Sequence, residues 1–141
     1  MKLVVVAVGK LRGAELRAVA DDYFSRLRKY VPYEEREVKT ADELAGKIPE
    51  GAFVVALEVN GEALSSPELA KRVELWGRRG KGVVAFLIGA ADGIPAPLSA
   101  RADARISLSR MTLPHRLARI VLAEQLYRAM TILRGEPYAR E

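Results

Sequence analysis

Three uninterrupted runs of apolar residues dominate the hydrophobic pattern of the chain. They occupy residues 3–8, 52–57 and 83–88, and none of them alternates with polar positions. Runs of this kind are typical of strands buried on both faces, as in a parallel sheet covered by helices. Two weaker strands are predicted at residues 34–39 and 105–108, so we expect a sheet of five strands.

Helical periodicity fills the segments between these strands. Apolar residues recur every three or four positions over residues 14–30, which predicts an amphipathic helix that ends before Pro32. A short helix is predicted at residues 41–47, and a longer one begins near Ser65, which has capping-box spacing to Glu68. A further short helix is expected before the last strand. Strands that alternate with helices predict an α/β fold in a single domain.

The last predicted helix, residues 114–134, is apolar on almost its whole circumference. Pro114 suits a first helical turn, and Gly135 suits the position just beyond a helix end, where φ is positive. One face of this helix can cover the sheet, whereas the opposite face needs another cover. Because no further element of the chain is predicted to supply it, we expect a homodimer packed through this helix.

Positive charge is concentrated in the C-terminal third of the chain. The net formal charge is +5, from 23 Lys and Arg against 18 Asp and Glu. Residues 101–141 contain eight arginines, no lysine and four acidic residues, which gives this segment a charge of +4. Since arginine pairs well with phosphate, the distribution favours an RNA or nucleotide partner, with a solvated basic helix face as the alternative. The basic, glycine-rich residues 77–82 leave the same two interpretations open.

The composition excludes several classes of chemistry. The 141 residues include no cysteine and one histidine, His115, which excludes a disulfide, a thiol nucleophile, an iron–sulfur cluster and a zinc site of the Cys/His kind. The Walker A sequence, the dinucleotide fingerprint and the serine nucleophile elbow are absent. The longest apolar runs are far shorter than the roughly 20 residues of a membrane-spanning helix, so we expect a cytoplasmic protein without a metal.

Three segments carry residues that suit binding or catalysis. The strand at residues 83–88 leads into a small-residue turn at Gly89, and ligands of open α/β sheets bind beyond such strand ends. Residues 108–115 join a strand to a helix N-terminus, whose free N–H groups suit a carboxylate or a phosphate. The tail, residues 135–141, is a third candidate, with a frayed terminus as the alternative.

The chain resembles the RlmH family over its whole length and in order. These are small bacterial methyltransferases of the SPOUT class that methylate N3 of a pseudouridine in 23S ribosomal RNA. Two matching segments are highly specific, L-S-x-M-T-L-P-H at residues 108–115 and the ending Y-x-R-E at residues 138–141. The other matching segments are residues 1–3 with 8–9, 87–89 and 123–129.

The resemblance implies an α/β SPOUT fold, in which a mostly parallel five-stranded sheet is flanked by helices and the C-terminal part forms a trefoil knot. Residues 1–141 would form one such domain, with the knotted, cofactor-binding part at about residues 52–141. The resemblance also implies S-adenosyl-L-methionine as the cofactor, a homodimer, and 23S rRNA in the assembled ribosome as the partner. The cofactor-binding residues that it implies are Leu57, Gly89, Leu108, Ser109, Arg110, Met111, Thr112 and Leu113.

Four residues are candidates for catalysis. Carbon methylation of a pyrimidine usually needs a cysteine, so its absence favours a nitrogen or oxygen acceptor, and the resemblance implies N3. We assign Arg128 and Arg140 to RNA phosphate or to charge on the deprotonated base, and Tyr138 to packing or hydrogen bonding at that base. His115 is assigned to substrate positioning or proton transfer. As alternatives, Arg128 forms only a helix ion pair with Glu124, and His115 is simply a neutral first-turn residue.

The chain departs from the family pattern at two positions. Relatives usually have a second glycine after Gly89, where this chain has Ala90, which adds a methyl group near the cofactor. Relatives also usually have a histidine in the tail, where this chain has Ala139, so no tail imidazole can act here. An alternative function is therefore a non-catalytic RNA-binding or ribosome-assembly factor with the same fold.

Overall fold

A computed structural model describes residues 1–140 of the chain, with side chains as far as Ala139. Within that part, no helix is long and apolar enough to cross a lipid bilayer. Short 3-10 turns lie at Ala41–Glu43, Ala45–Lys47 and Pro137–Arg140. The strands and helices, in chain order, are β1 (Lys2–Val8), α1 (Ala14–Arg28), β2 (Tyr33–Val38), β3 (Phe53–Ala63), α2 (Ser66–Arg79), β4 (Val83–Ile88), α3 (Ala96–Arg101), β5 (Ala104–Ser107) and α4 (His115–Leu133).

The five strands form one sheet in the order β2-β1-β4-β3-β5, and every pairing is parallel. The three central strands contain the three apolar runs, which confirms the expectation of strands buried on both faces. For example, Val5 of β1 lies opposite Phe86 of β4 on one side and Glu35 of β2 on the other. All five strands therefore end at the same edge of the sheet.

Helices cover both faces of the sheet. Alternate residues of β1 belong to separate cores: Val5 packs in a cluster with Trp76 of α2 and Leu122 of α4, and Val6 packs in a second cluster with Leu98 of α3. The larger cluster contains α1, α2 and α4, and the smaller one contains α3 and the 3-10 segment after β2. The strand periodicity of two thus divides the buried residues between two layers.

The N-terminus of α2 is held by the predicted capping box. The hydroxyl of Ser65 accepts a hydrogen bond from the N–H of Glu68 at 3.2 Å, and the Glu68 carboxylate accepts one from the N–H of Ser65 at 2.9 Å. The other end of α2 is closed by packing, because a Cβ on Gly80 would lie 2.2 Å from the carbonyl oxygen of Val83. The basic, glycine-rich residues 77–82 lead from α2 into the amino end of β4, at the edge of the sheet opposite the carboxyl ends of the strands.

The bounds of α4 follow the predicted signals closely. Pro114 is the cap residue and His115 the first helical residue, one position later than expected, because the backbone of Pro114 is extended (ψ 145°). At the other end, Gly135 has φ of +69°, which confirms it as the residue beyond the helix end. The N–H of Gly135 donates to the carbonyl of Ile132 at 3.1 Å, and this bond satisfies one of the last carbonyls of the helix.

Strand β3 is longer than predicted. The apolar run ends at Leu57, but the strand continues to Ala63 through polar residues. It continues because β5 pairs with it twice, first at residues 55–57 and again at residues 62–63 after a shift in register. Gly61 permits this close approach, since a Cβ there would lie 2.6 Å from the backbone of Ile106. The hydrophobic pattern of a segment does not show which distant strand pairs with it, so the predicted strand ended at residue 57, before the observed end of β3.

The environment of α4 corrects the reasoning behind the predicted dimer. Helices α1 and α2 both contact α4, and the 3-10 turn of the tail contacts it as well. The chain therefore does supply further cover, because a helix lying between two others buries its flanks as well as its sheet-facing side. The outward side keeps a narrower apolar stripe, formed by the exposed Leu117 and the half-buried Val121 and Ile132. The homodimer itself stays a prediction.

Candidate cofactor cleft and catalytic groups

A cleft of about 710 Å³ opens at the carboxyl ends of β3, β4 and β5. Its volume lies within the usual range of small-molecule sites, about 300 to 1,000 Å³. Its position matches the rule that ligands of parallel sheets bind beyond the carboxyl ends of the strands. Its walls are the end of β3 (residues 57–60), the turn after β4 (residues 88–94), and the segment from β5 into α4 (residues 108, 109, 111–115 and 118).

The turn after β4 is folded tightly onto itself. A Cβ on Gly89 would lie 2.4 Å from the carbonyl carbon of Gly93, closer than real Cβ contacts, so only glycine fits here. The N–H of Gly93 donates to the carbonyl of Ala90 at 2.8 Å, and Gly93 itself has φ of +82°. The turn therefore presents backbone to the cleft, while Ala90 adds a methyl group to the lining.

The segment after β5 forms the opposite wall and is held by its own serines. The hydroxyl of Ser107 donates to the carbonyl of Ser109 at 2.8 Å, and the Ser109 hydroxyl accepts from the N–H of Met111 at 3.0 Å. Arg110 is exposed and does not line the cleft. The seven other predicted cofactor residues do line it, namely Leu57, Gly89, Leu108, Ser109, Met111, Thr112 and Leu113.

His115 lies at the base of the cleft, where α4 begins. Both of its ring nitrogens are buried, and neither has a hydrogen-bond partner among the described residues. Burial and then the positive charge of Arg119 lower the pKa of His115, while the nearby Gly89 backbone and Glu37 oppose that shift. The imidazole is therefore neutral at pH 7, able to accept a proton or a hydrogen bond from a ligand in the cleft.

Arg119 is a buried charge that the sequence analysis missed. Its side chain has no exposed surface, and it donates to the carboxylates of Glu35 and Glu37, each at 2.7 Å, and to the carbonyl of Gly9 at 3.2 Å. Burial raises the pKa of Glu37, but the hydrogen bonds from Arg119 and from the N–H of Leu11 outweigh it and leave the pKa lowered. The sequence did contain a sign of this burial, because Arg119 lies among the apolar positions of the last predicted helix, one turn after His115.

Tyr138 and Arg128 meet at a second location, around Glu124 on α4. The hydroxyl of Tyr138 donates to the Glu124 carboxylate at 2.8 Å, and Arg128 donates to the same carboxylate at 2.7 Å. The ion pair with Glu124 is therefore present, and a further role of Arg128 stays a prediction. The ring of Tyr138 packs on Tyr127 at 4.6 Å between centroids. Burial and Glu124 raise the pKa of Tyr138, which keeps the phenol protonated. This part of the tail is therefore packed rather than frayed.

The other end of the tail is also anchored, because the hydroxyl of Tyr30 donates to the carboxylate of Glu136. The side chain of Arg140 and the whole of Glu141 lie outside the described residues. The assignment of Arg140 to phosphate or to the base consequently stays a prediction.

A family model described as "Predicted SPOUT methyltransferase" matches residues 1–139. The chain belongs to the SPOUT methyltransferase family. It is 56% identical over 144 residues to the ribosomal RNA large subunit methyltransferase H of Sorangium cellulosum, covering 99% of each chain. It is 49% identical over 152 residues to the protein of the same name from Anaeromyxobacter dehalogenans strain 2CP-1, covering 98% of this chain and 99% of the relative.

The fold of this SPOUT methyltransferase is also found in a solved structure. A probable methylase family protein from Haemophilus influenzae Rd KW20 superposes with a TM-score of 0.62, covering 97% of this chain and 69% of that one. The identity is 11%, so this likeness concerns the fold alone. The parallel five-stranded sheet with flanking helices is thus the SPOUT architecture, whereas the trefoil knot and its bounds stay predictions.

Within one chain of this SPOUT methyltransferase, the three predicted catalytic residues whose side chains are described do not come together. His115 is the first residue of α4, and Arg128 lies 13 positions later on the same helix. At 1.5 Å per residue, the two positions are about 20 Å apart along the helix axis. Tyr138 is beside Arg128 through Glu124, and neither residue lines the cleft. The structure therefore brings His115 together with the predicted cofactor residues and places Tyr138 and Arg128 elsewhere.

Proposed function

We propose that the chain is an S-adenosyl-L-methionine-dependent methyltransferase that modifies N3 of a pseudouridine in 23S rRNA. The observation that carries the proposal is the cleft, because residues that the resemblance assigns to the cofactor line it together from three separate segments: Leu57, Gly89 and the loop of residues 108–113 apart from Arg110. Two relatives with at least 49% identity bear the name of a large-subunit rRNA methyltransferase. A ribosomal substrate also implies that the protein acts in the cytoplasm.

The residues of the cleft fit such a cofactor. Apolar side chains such as Leu57, Ile88 and Leu108 can cover an adenine ring, while the turn at Gly89 supplies backbone groups for polar contacts. The two unpartnered ring nitrogens of His115 provide a polar site at the base of the same cleft. When bound, the cofactor supplies an electrophilic methyl group on a sulfonium. The task of the protein is then to align the acceptor atom and to remove its proton, with alignment contributing up to about 7 to 11 kcal/mol.

The chemistry of the available residues indicates which kind of atom accepts the methyl group and which residues act on it. With no cysteine in the chain, a cysteine adduct that would activate carbon cannot form, which favours a nitrogen or oxygen acceptor, and a nitrogen acceptor needs only deprotonation. The neutral His115 is suited to accept that proton or to position the base, and Tyr138 is suited to donate a hydrogen bond as a protonated phenol. Arg128 and Arg140 are assigned to the negative charge of the base or of phosphate. Because position 139 is alanine, His115 carries the one imidazole in the chain.

A homodimer would complete this active site. Since His115 and Arg128 are about 20 Å apart along α4, and Tyr138 is held at Glu124 outside the cleft, one chain alone does not bring Tyr138 and Arg128 to its own cleft. A second copy packed against the outward apolar stripe of α4 could place its tail beside the first cleft. Exposed apolar residues at the cleft rim, Met111 and Val59, support an additional contact there. We propose that this dimer acts on 23S rRNA within the assembled ribosome.

The decisive experiment is mass spectrometry of 23S rRNA from a strain lacking the gene. The proposal expects loss of one methyl group from a pseudouridine, restored by the wild-type chain. Calorimetry with S-adenosyl-L-methionine separates the alternative of a ribosome-assembly factor, because such a factor would not bind the cofactor. An unchanged modification pattern in the deletion strain would overturn the proposed activity.

A further inference from the structure

In the described part of the chain, several exposed cations without an acidic partner lie at the carboxyl edge of the sheet. Elsewhere, some arginines pair with carboxylates, as Arg17 does with Asp21 at 3.3 Å and Arg72 with Glu62 at 2.9 Å, whereas others, such as Arg101, form no ion pair within the described residues. Among the described residues, no ion pair forms at five exposed cations near the cleft. We call these residues the basic edge: Lys10, Arg12, Lys39, Arg110 and Arg116.

The strand order places the basic edge around the cleft. Lys39 follows β2, and Lys10 and Arg12 follow β1, whose next neighbour in the sheet is β4 with its cleft-lining turn. Arg116 is the second residue of α4, directly after the cleft residue His115. Because neighbouring strands lie about 4.8 Å apart, these cations are within a few strand spacings of the cleft.

Contacts between the β1–α1 loop and the start of α4 hold part of the basic edge together. The guanidinium of Arg116 donates to the carbonyl of Arg12 at 3.3 Å. A Cβ on Gly9 would lie 3.7 Å from Nε2 of His115, so the same loop borders the base of the cleft. The relation between these cations and the cleft is therefore fixed by the backbone and by α4, even though their side chains are exposed.

The local charge at the basic edge remains positive. The nearby Glu37 is already engaged by Arg119 and by the N–H of Leu11, and it offers the exposed cations no free carboxylate. Glu15, in the first turn of α1, is exposed and is the acidic residue of that turn. Asp42 and Glu43 follow Lys39, and Glu58 and Asp92 line the cleft, so the excess of positive charge is concentrated at Lys10, Arg12 and Arg116, which stand against Glu15. This part of the basic edge attracts polyanions.

We infer that the basic edge docks the backbone phosphates that flank the target nucleotide, so that the target base enters the cleft beside it. This inference rests on the proposed function. Phosphate contacts fix the register and orientation of a nucleic acid, while the cleft selects the base. Unpaired cations suit this role because they do not have to break an ion pair before they meet a phosphate. Guanidinium groups such as those of Arg12 and Arg116 also match the geometry of phosphate oxygens.

The test is a pair of triple variants that remove equal charge from opposite edges of the sheet. The test variant is Lys10→Gln with Arg12→Gln and Arg116→Gln. Arg110 is left intact because the family resemblance assigns it to the cofactor. The matched control removes three exposed cations at the amino ends of strands, which also lack ion pairs within the described part of the chain: Lys29→Gln, Lys81→Gln and Arg101→Gln.

Binding is measured to 70S ribosomes purified from a strain lacking the gene, between about 50 and 200 mM salt. Relative to wild type, the test variant should bind at least about tenfold more weakly, and its salt slope should fall by about 2 to 3. The single variant Lys39→Gln should lower the slope by about 0.7 to 0.9. The control should keep the wild-type slope, and calorimetry should show cofactor affinity unchanged within about twofold in both triple variants.

Equal affinity and slope in the test variant and the control would overturn the inference, whether both match wild type or both are weakened. The second case would show that overall charge, rather than this edge, drives binding. The proposed function is judged separately, on wild-type protein. Wild type that binds the cofactor but neither binds nor methylates these ribosomes would overturn that function and this inference with it.

Discussion

Replacement of Arg119 by methionine tests whether the buried ion pairs hold α4 to the sheet. Methionine keeps an unbranched side chain of similar length but removes the charge and all donors. The side chain of Arg119 has no exposed surface, and that of Glu35 is 11% exposed, so the change leaves a carboxylate with little access to water. Removing one partner of a buried pair usually costs about 3 to 5 kcal/mol.

The expected loss lies at the lower end of that range. The side chain of Glu37 is 31% exposed, so water can replace part of what it loses. We therefore expect Arg119→Met to lower the free energy of unfolding by about 3 kcal/mol at pH 7. The change removes the anchor between the first turns of α4, Gly9 and β2, so we also expect weaker cofactor binding through displacement of His115.

The pH dependence gives an independent check on the cause. The folded-state pKa of Glu37 lies below its unfolded value of about 4.3, so its contribution is present above that value and is lost as the pH falls through the folded pKa. Arg119→Met removes the main interaction that lowers this pKa. The difference in stability between wild type and variant should therefore be largest near pH 7 and shrink as the pH falls below about 4.3.

Urea unfolding followed by tryptophan fluorescence measures these changes, because Trp76 is the one tryptophan of the chain and is buried against Phe53. The control is Arg17→Met, which breaks an exposed pair with Asp21 and should cost at most about 0.5 kcal/mol. If Arg119→Met does not fold, Glu37→Gln removes one charge-assisted bond and should cost about 1 to 3 kcal/mol. An unfolding free energy of Arg119→Met within about 0.5 kcal/mol of wild type would refute the reasoning.

Three further predictions concern the site. His115 is the one histidine in the chain, so its ring-proton NMR signal needs no assignment. We expect the midpoint of its pH titration to lie below the usual value of about 6.5. A midpoint at or above that value would contradict the buried environment beside Arg119. Ile132→Glu on the outward stripe of α4 should convert a dimer to a monomer in sedimentation and abolish methylation, whereas an active monomer would rule out a shared site. Tyr138→Phe keeps the ring packing on Tyr127 but removes the hydroxyl, so methylation should slow at least tenfold, about 1.4 kcal/mol, at unchanged cofactor affinity; normal turnover would remove Tyr138 from catalysis.

The local sequence determined most of the secondary structure. The apolar runs located the three central strands, because a strand buried on both faces has no polar positions to interrupt it. The capping box at Ser65 and the glycine at position 135 located helix ends, because these signals act within one turn of the backbone. Seven of the eight residues that the family resemblance named for the cofactor line one cleft, although they come from segments far apart in the chain, and their contact with the cofactor stays a prediction.

The tertiary structure alone decided the features that depend on distant partners. The extension of β3 to Ala63 follows from pairing with β5, and the cover on both flanks of α4 follows from where α1 and α2 pack. The sequence alone gives no reason to place Arg119 in the interior, because arginine is usually found at the surface. Its burial is possible because the carboxylates of Glu35 and Glu37 on β2 pair with it. The placement of Tyr138 at Glu124, away from the cleft that His115 lines, likewise follows from the packing of the tail on α4. Interactions between residues far apart in sequence leave no periodicity, and only the folded chain displays them.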